Sequence, residues 1–172
     1  KAMCLGLTSA YNTALPVLSA AIREYPVVAM LMAAFARAHC PRSVYTSVQL
    51  NRDYSAKLHV DGNNAGPSFI VGLGDYTGGE LWIMDERGDH PMTVVGRLRG
   101  YPALKPGQTI MGRLWNIQRR WLQFDGRVPH CAMPWAGQTR ISAVYYPVGN
   151  HVQTPPTERH FLEQHGFDLP GL

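Results

Sequence analysis

A mainly β domain with helices flanking one sheet is the fold class that these 172 residues predict. Three observations lead there. Turn formers are dense, with 17 Gly and 13 Pro, above their usual share. After Pro41 the apolar runs are short, rich in β-branched and aromatic residues, and separated by turn signals. Before Pro41 the composition is that of good helix formers. With 45% hydrophobic and 16% charged residues the chain can bury one core and is not disordered by composition. The combined expectation is a single antiparallel barrel or sandwich with N-terminal helices packed on one sheet.

Taken in order, residues 14–39 read as helical, punctuated by Pro16 and Pro26. Pro26 sits where a helix start tolerates it. The residues after it are apolar almost all round, which predicts packing against a sheet, and Pro41 ends the element. Strands are expected at 43–51, 68–73, 80–84, 93–98, 109–114, 121–124 and 139–147. The turns between them carry Glu86-Arg-Gly-Asp, Lys105-Pro-Gly and Phe124-Asp-Gly. Residues 149–172 are polar, contain Pro155-Pro156, and read as a peripheral tail with one helical turn. The division is therefore a helical flank over 1–42, a β core over 43–148 and a tail over 149–172, all within one domain spanning 1–172.

The net charge is +4 and the isoelectric point about 9.1, compatible with a polyanionic partner and equally with an ordinary basic protein. No run of 18 uncharged apolar residues exists, so no helical membrane span is expected. Cys4, Cys40 and Cys131 are widely spaced and form no Cys-x-x-Cys pair, which excludes a cysteine-rich zinc site; the alternatives are one disulfide or three free thiols in a reducing compartment, and the latter is preferred. The chain begins at Lys1 without a signal-peptide pattern and reads as a processed chain or an excised fragment, so absent targeting signals prove little; an intracellular location is the expectation that free thiols favour.

Chemistry enters at Leu58-His59-Val60-Asp61. Residues i and i+2 of a strand share a face, so His59 and Asp61 can present an imidazole and a carboxylate side by side. The spacing alone is weak evidence, expected about 0.3 times by chance in this composition, and its plainer alternative is a half-exposed His beside a turn Asp. His130 follows 69 residues after Asp61, just past a turn, and Arg140-x-Ser142 begins ten residues later. A second His completes the two-His, one-carboxylate set that holds non-haem Fe(II) on one face and leaves positions open. Arg140 lies in an apolar, aromatic strand, where a guanidinium is costly unless it holds an anion, and a carboxylate suits its planar fork. The alternative there is an edge-strand Arg paired with an internal Asp or Glu.

The order His59-x-Asp61, His130, Arg140-x-Ser142 resembles the Fe(II)/2-oxoglutarate-dependent oxygenases over roughly residues 43–148. The resemblance implies a double-stranded β-helix, or jelly roll, as the core. It implies Fe(II) on His59, Asp61 and His130 as the catalytic centre, and 2-oxoglutarate as co-substrate with its far carboxylate on Arg140 and Ser142. It further implies O2 as the second co-substrate and oxidation of a substrate C–H bond. Asn51 and Tyr54 stand where related oxygenases place hydrogen-bonding partners of the co-substrate, against the alternative of strand packing and turn capping. A narrower likeness lies in His59-Val-Asp-Gly-Asn-Asn64 and Gly78-Gly-Glu-Leu-Trp82. These are similar to the ten-eleven-translocation 5-methylcytosine oxygenases and the base-J thymine hydroxylases (the TET/JBP group). That likeness implies a methylated nucleobase as substrate, with Asn64 near the base, DNA as partner, and a nuclear location. The chain departs from the animal enzymes in lacking their Cys-rich zinc-binding extension. For Asn63-Asn64 the alternative is plain turn chemistry beside Gly62.

Asp125 reads as a structural turn residue, and His90 as a solvated loop histidine. Trp115, Arg119, Arg120 and Trp121 combine rings and cations as a single-strand stacking surface does, but core Trp alternating with surface Arg is the preferred reading. Three functions compete: oxidation of a base in DNA, the same iron chemistry on a protein side chain or small molecule, and a non-catalytic metal-binding jelly roll. Arg140 argues against the last, because a bare metal site needs no carboxylate clamp.

Overall fold

The computed structural model describes residues 1–9 and 15–171. Strand β1 (Ala2–Ser9) leads into β2 (Pro16–Leu18), the short helix α1 (Ala20–Glu24) and α2 (Pro26–His39). Then come β3 (Ser47–Arg52), β4 (Ser68–Leu73), β5 (Tyr76–Gly78), β6 (Leu81–Met84), β7 (His90–Thr93) and β8 (Thr109–Trp115). The chain finishes with β9 (Leu122–Phe124), β10 (His130–Ala132), β11 (Trp135–Gly137), β12 (Ile141–Tyr146), a 3-10 turn at His151–Gln153 and α3 (Pro156–Gln164). A six-stranded sheet runs β2-β1-β3-β12-β4-β9, a four-stranded sheet runs β10-β6-β8-β7, and β11 pairs with β5. Every pair of named strands is antiparallel.

The two faces of the large sheet are chemically opposite. Leu5, Leu7, Val48, Phe69, Val71, Ala143 and Tyr145 point to one face and form the main core with Ile22, Ala29, Met32, Ala33 and Ala36. Ala29, Met32, Ala33 and Ala36 are spaced at helical intervals, so α2 presents a stripe of mostly small residues that lets it lie close on the sheet. Tyr145 Oη donates to the Met32 carbonyl at 3.0 Å and pins the helix. By period-2 alternation, the intervening residues face the smaller sheet: Cys4, Gln49, Asn51, Ile70, Ser142, Val144 and Tyr146 all line a cavity there. Between the sheets, Ile70 packs with Leu81, Ile117 and Phe124. A sheet that is apolar against its helices and largely polar toward its partner sheet is built to hold something between the sheets.

Four expectations about the elements need correction. Pro16–Leu18, read as helical, form β2, and residues 94–98, read as part of a strand, lie past the end of β7. Residues 1–42 are not only a helical flank: β1 pairs with β3 along Ala2↔Asn51 to Gly6↔Ser47 and sits second in the large sheet. Helix α2 packs on the sheet as expected, with Val27, Met30 and Leu31 left exposed. Residues 149–172 are not peripheral. Leu162 of α3 is fully buried and Phe167 nearly so, both in the main core, and the Tyr45 N–H donates to the Asp168 carbonyl at 2.9 Å. Leu162→Ala is therefore expected to lower unfolding free energy by about 2–5 kcal/mol. Chemical denaturation read by far-ultraviolet circular dichroism checks this, and a surface tail would show no change.

Candidate metal and co-substrate site

His59 and His130 meet as the two partners of an isolated antiparallel bridge, each backbone N–H donating to the other's carbonyl at 3.0 Å. Their rings lie 4.3 Å apart between centroids. Each Nδ1 is 2.7–2.8 Å from the carbonyl oxygen two residues earlier, Lys57 for His59 and Val128 for His130. Only a protonated Nδ1 can serve those carbonyls, so in both neutral rings Nε2 is left as the lone-pair donor. The Asp61 carboxylate spans the pair, with Oδ1 3.5 Å from His59 Nε2 and Oδ2 3.7 Å from His130 Nε2. The three ligand atoms lie within 4.8 Å of one another, the dimension of a set that can share one metal ion.

Asp61 is placed by its own backbone: its N–H donates to the Gly126 carbonyl at 2.8 Å, and the Asn64 N–H returns to the Asp61 carbonyl at 3.2 Å. Gly126 is needed here, because a Cβ on it would sit 3.1 Å from Asp61 Oδ2 and 2.9 Å from Asn64 Nδ2. His130 is only 4% exposed, with Phe124 edge-on against it at 5.1 Å. Burial, with His59 beside it, holds its imidazole below the ordinary histidine range. A ligand histidine must be neutral, so this placement keeps His130 ready to bind a metal.

Arg140 precedes β12, an interior strand of the large sheet, and is 2% exposed. The alternative of an edge-strand Arg paired with an acid does not hold: among the described residues Arg140 forms no ion pair. Its Nη2 donates to the Gly79 carbonyl at 3.0 Å, while Nε has no partner. The guanidinium lies against the rings of Trp135 and Tyr76, at 5.2 and 5.6 Å from their centroids. Burial raises the Tyr76 pKa, and the Arg140 guanidinium beside it acts in the opposite direction. Gly79 has φ +68, and a Cβ there would meet Arg140 Nε at 2.8 Å; only glycine both adopts this backbone and clears the guanidinium. Burial lowers the Arg140 pKa, but a guanidinium stays charged in proteins. A buried cation without an internal ion pair costs stability that an anion from outside can offset.

One cavity of about 640 Å³ contains the whole arrangement, lined by His59, Asp61, His130, Arg140, Ser142, Asn51, Tyr54 and Asn64 among others. Every predicted site residue therefore borders the same space. Ser142 and Asn51 are cross-strand partners, with Asn51 Nδ2 donating to Ser142 Oγ at 3.5 Å. Tyr54 is half-exposed at the rim. Asn64 is tied inward, its Nδ2 donating to Ser68 Oγ at 3.1 Å. Of the residues read as bystanders, Asp125 chelates Arg127 in its turn, His90 is an exposed partner of Asp89, Arg119 pairs with Asp75, and Trp121 packs on Phe35 and Tyr145. Sequence reasoning missed Tyr76 and Trp135. Their role arises from the β5–β11 pairing, which no local pattern announces.

No protein-family model matches the chain, and no curated protein matches it. Among solved structures it is similar to an oxidoreductase of the 2OG-Fe(II) oxygenase family from Burkholderia pseudomallei. That match is 18% identical, covers 84% of this chain and 66% of the other, and has a TM-score of 0.50. The fold is a double-stranded β-helix, or jelly roll. A second similar structure is NgTET1 in complex with 5mC DNA, at 13% identity over 95% of this chain and 69% of that one, with a TM-score of 0.49. The chain thus spans about two thirds of the length of either solved protein.

Proposed function

We propose that this chain is a single Fe(II)- and 2-oxoglutarate-dependent dioxygenase domain that oxidises a C–H bond of a methylated nucleobase, 5-methylcytosine in DNA being favoured. The observation that carries the iron chemistry is the joint presence, in one cavity, of the His59–Asp61–His130 cluster and the unpaired buried Arg140. The residues fit the groups. Two Nε2 lone pairs and a carboxylate on one face suit Fe(II) with positions left open, and Arg140, which lines the cavity with its buried Nε unpaired, marks where an anion belongs.

Bound Fe(II), with 2-oxoglutarate and O2, supplies the oxidising power for the C–H bond. The protein's part is placement. Lys57 and Val128 carbonyls hold the two rings in the tautomer that ligates. Arg140 would hold the far carboxylate of 2-oxoglutarate with its planar fork, and its packing against Trp135 and Tyr76 means that little side-chain freedom would be lost on binding. Ser142 and Asn51 add hydrogen bonds from the neighbouring strands. Phe124, Leu81 and Ile70 form an apolar wall of the cavity that limits water near the reacting carbon.

The nucleobase assignment rests on Asn64 at the cavity wall, three residues after Asp61, and on the net charge of +4. With Nδ2 on Ser68, the Asn64 carbonyl oxygen has no hydrogen-bond donor among the described residues, and an acceptor there suits the exocyclic amine of a cytosine turned out of the stack. The test is product analysis by mass spectrometry after incubation with Fe(II), 2-oxoglutarate and methylated or unmethylated DNA. Oxidised methylcytosine is the expected product. Asn64→Ala is expected to lower turnover on DNA by about fivefold, the worth of one hydrogen bond of on the order of 1 kcal/mol, with Fe(II) and 2-oxoglutarate binding intact. Succinate production stimulated by a peptide or a small molecule and by no nucleic acid would move the assignment to that substrate class.

A further inference from the structure

Between His90 and Phe124 the chain carries six Lys or Arg and no acidic residue. Arg113 and Arg119 are engaged in ion pairs with Asp85 and Asp75. Three of the others, Arg97, Arg99 and Lys105, stand in the connection from β7 to β8, residues 94–108, and none of them forms an ion pair among the described residues. This connection is not loose. Val94 and Leu98 are buried against Trp82, with Tyr101 and Leu104 packed beside them. Its ends are closed by Val94 N–H to the Gln108 carbonyl at 2.9 Å and Gly107 N–H to the Val94 carbonyl at 2.8 Å. The apolar residues point in, so Arg97 and Arg99 are held outward on either side of Leu98.

Arg99 links this surface to the site. Its Nη1 donates to Asn63 Oδ1 at 3.1 Å, and its side chain lies across Gly62, where a Cβ would meet Arg99 Cδ at 2.9 Å. It thereby crosses the turn between Asp61 and Asn64 and lines the cavity mouth. The Asn63 carbonyl in turn accepts from the Gly149 N–H at 2.6 Å, which fixes the turn from the other side.

We infer that residues 94–108 are the phosphate-backbone contact of a DNA duplex, with Arg99 at the cavity mouth holding the phosphate next to the nucleotide whose base enters. The identity of the polyanion rests on the nucleobase reading above. Cations held by neutral oxygens at most, Arg99 on Asn63 and Lys105 on the Pro102 carbonyl at 2.7 Å, on a loop whose backbone is already ordered, bind a phosphodiester chain at low entropic cost. The exposed Val95, 70% accessible between Val94 and Gly96, adds an apolar tip to the same surface.

The test is steady-state turnover of a methylated duplex, with duplex binding followed by fluorescence anisotropy from low to moderate salt. In Arg97→Ala/Arg99→Ala/Lys105→Ala, the KM for DNA is expected to rise at least tenfold, with a smaller change in kcat at saturating DNA. The slope of log affinity against log salt should flatten by about 0.9 for each phosphate that is no longer neutralised. The matching variant Arg97→Lys/Arg99→Lys should keep the salt slope, because an ammonium also neutralises phosphate, and this separates phosphate binding from a folding defect. A triple-alanine variant that retains the wild-type DNA KM and salt slope overturns the assignment of the loop and leaves the base-oxidation reading standing. A wild-type protein that turns over a peptide or small molecule and no DNA overturns that reading first, before any variant is made, and the duplex partner with it.

Discussion

Asp61→Ala abolishes Fe(II) binding and turnover while leaving the fold in place; His59→Ala does the same. Both expectations follow from where the two side chains stand. His59 and Asp61 are about two-fifths and one-third exposed, so neither replacement opens a cavity in the core. Each takes away one of three proposed ligands. The loss of affinity should exceed the ~10–100-fold that removal of a mere supporting partner costs at metal sites. His130 is the poorer choice for the experiment, because it is buried against Phe124 and its removal also costs packing. Isothermal titration with Fe(II) under anaerobic conditions, or the visible absorption of bound Co(II), reads the site without turnover. Circular dichroism reads the fold. Wild-type metal affinity in either folded variant would place the metal elsewhere.

The parts of this site that could be read in the chain are those set by short spacing or fixed order. His59 and Asp61 are two residues apart, and that sufficed to put both near one point, although Asp61 sits at the start of a turn and not on a continuous strand. Arg140 was legible because a charge in an apolar strand conflicts with its surroundings unless it has a ligand. The contacts that complete the site were not legible, since each joins segments far apart in sequence: Arg99 reaches Asn63 across 36 residues, and Trp135 meets Arg140 only because β11 folds onto β5. In the fold, β1 was hidden for a different reason. Leu5, Gly6 and Leu7 are all buried, so the polar–apolar alternation of a half-exposed strand is absent. The three-residue strands β10 and β11 are too short to show any period, and α3 contributes only Phe161 and Leu162 to the core side.

Arg140 variants should separate binding from stability in opposite directions. Arg140→Lys keeps a positive charge but loses the fork and the ring stacking with Trp135 and Tyr76. A charge-assisted hydrogen bond contributes about 1.5–3 kcal/mol, so its loss should raise the 2-oxoglutarate requirement roughly ten- to hundredfold. Arg140→Met fills much of the same slot without charge. In the protein free of co-substrate the wild-type guanidinium is buried with one carbonyl partner and no anion, and replacing an uncompensated buried charge by an apolar side chain is often neutral or stabilising. Arg140→Met is therefore expected to melt at or above the wild-type temperature without co-substrate, and to gain nothing when 2-oxoglutarate is added with a redox-inert divalent metal. The wild type should gain stability under the same conditions, because a ligand that binds only the folded state raises its melting point. Melting curves with and without co-substrate decide the matter. If Arg140→Met unfolds readily on its own, and Arg140→Lys shows an unchanged 2-oxoglutarate requirement, Arg140 is a structural cation and the co-substrate's far carboxylate must be held by another group in the cavity.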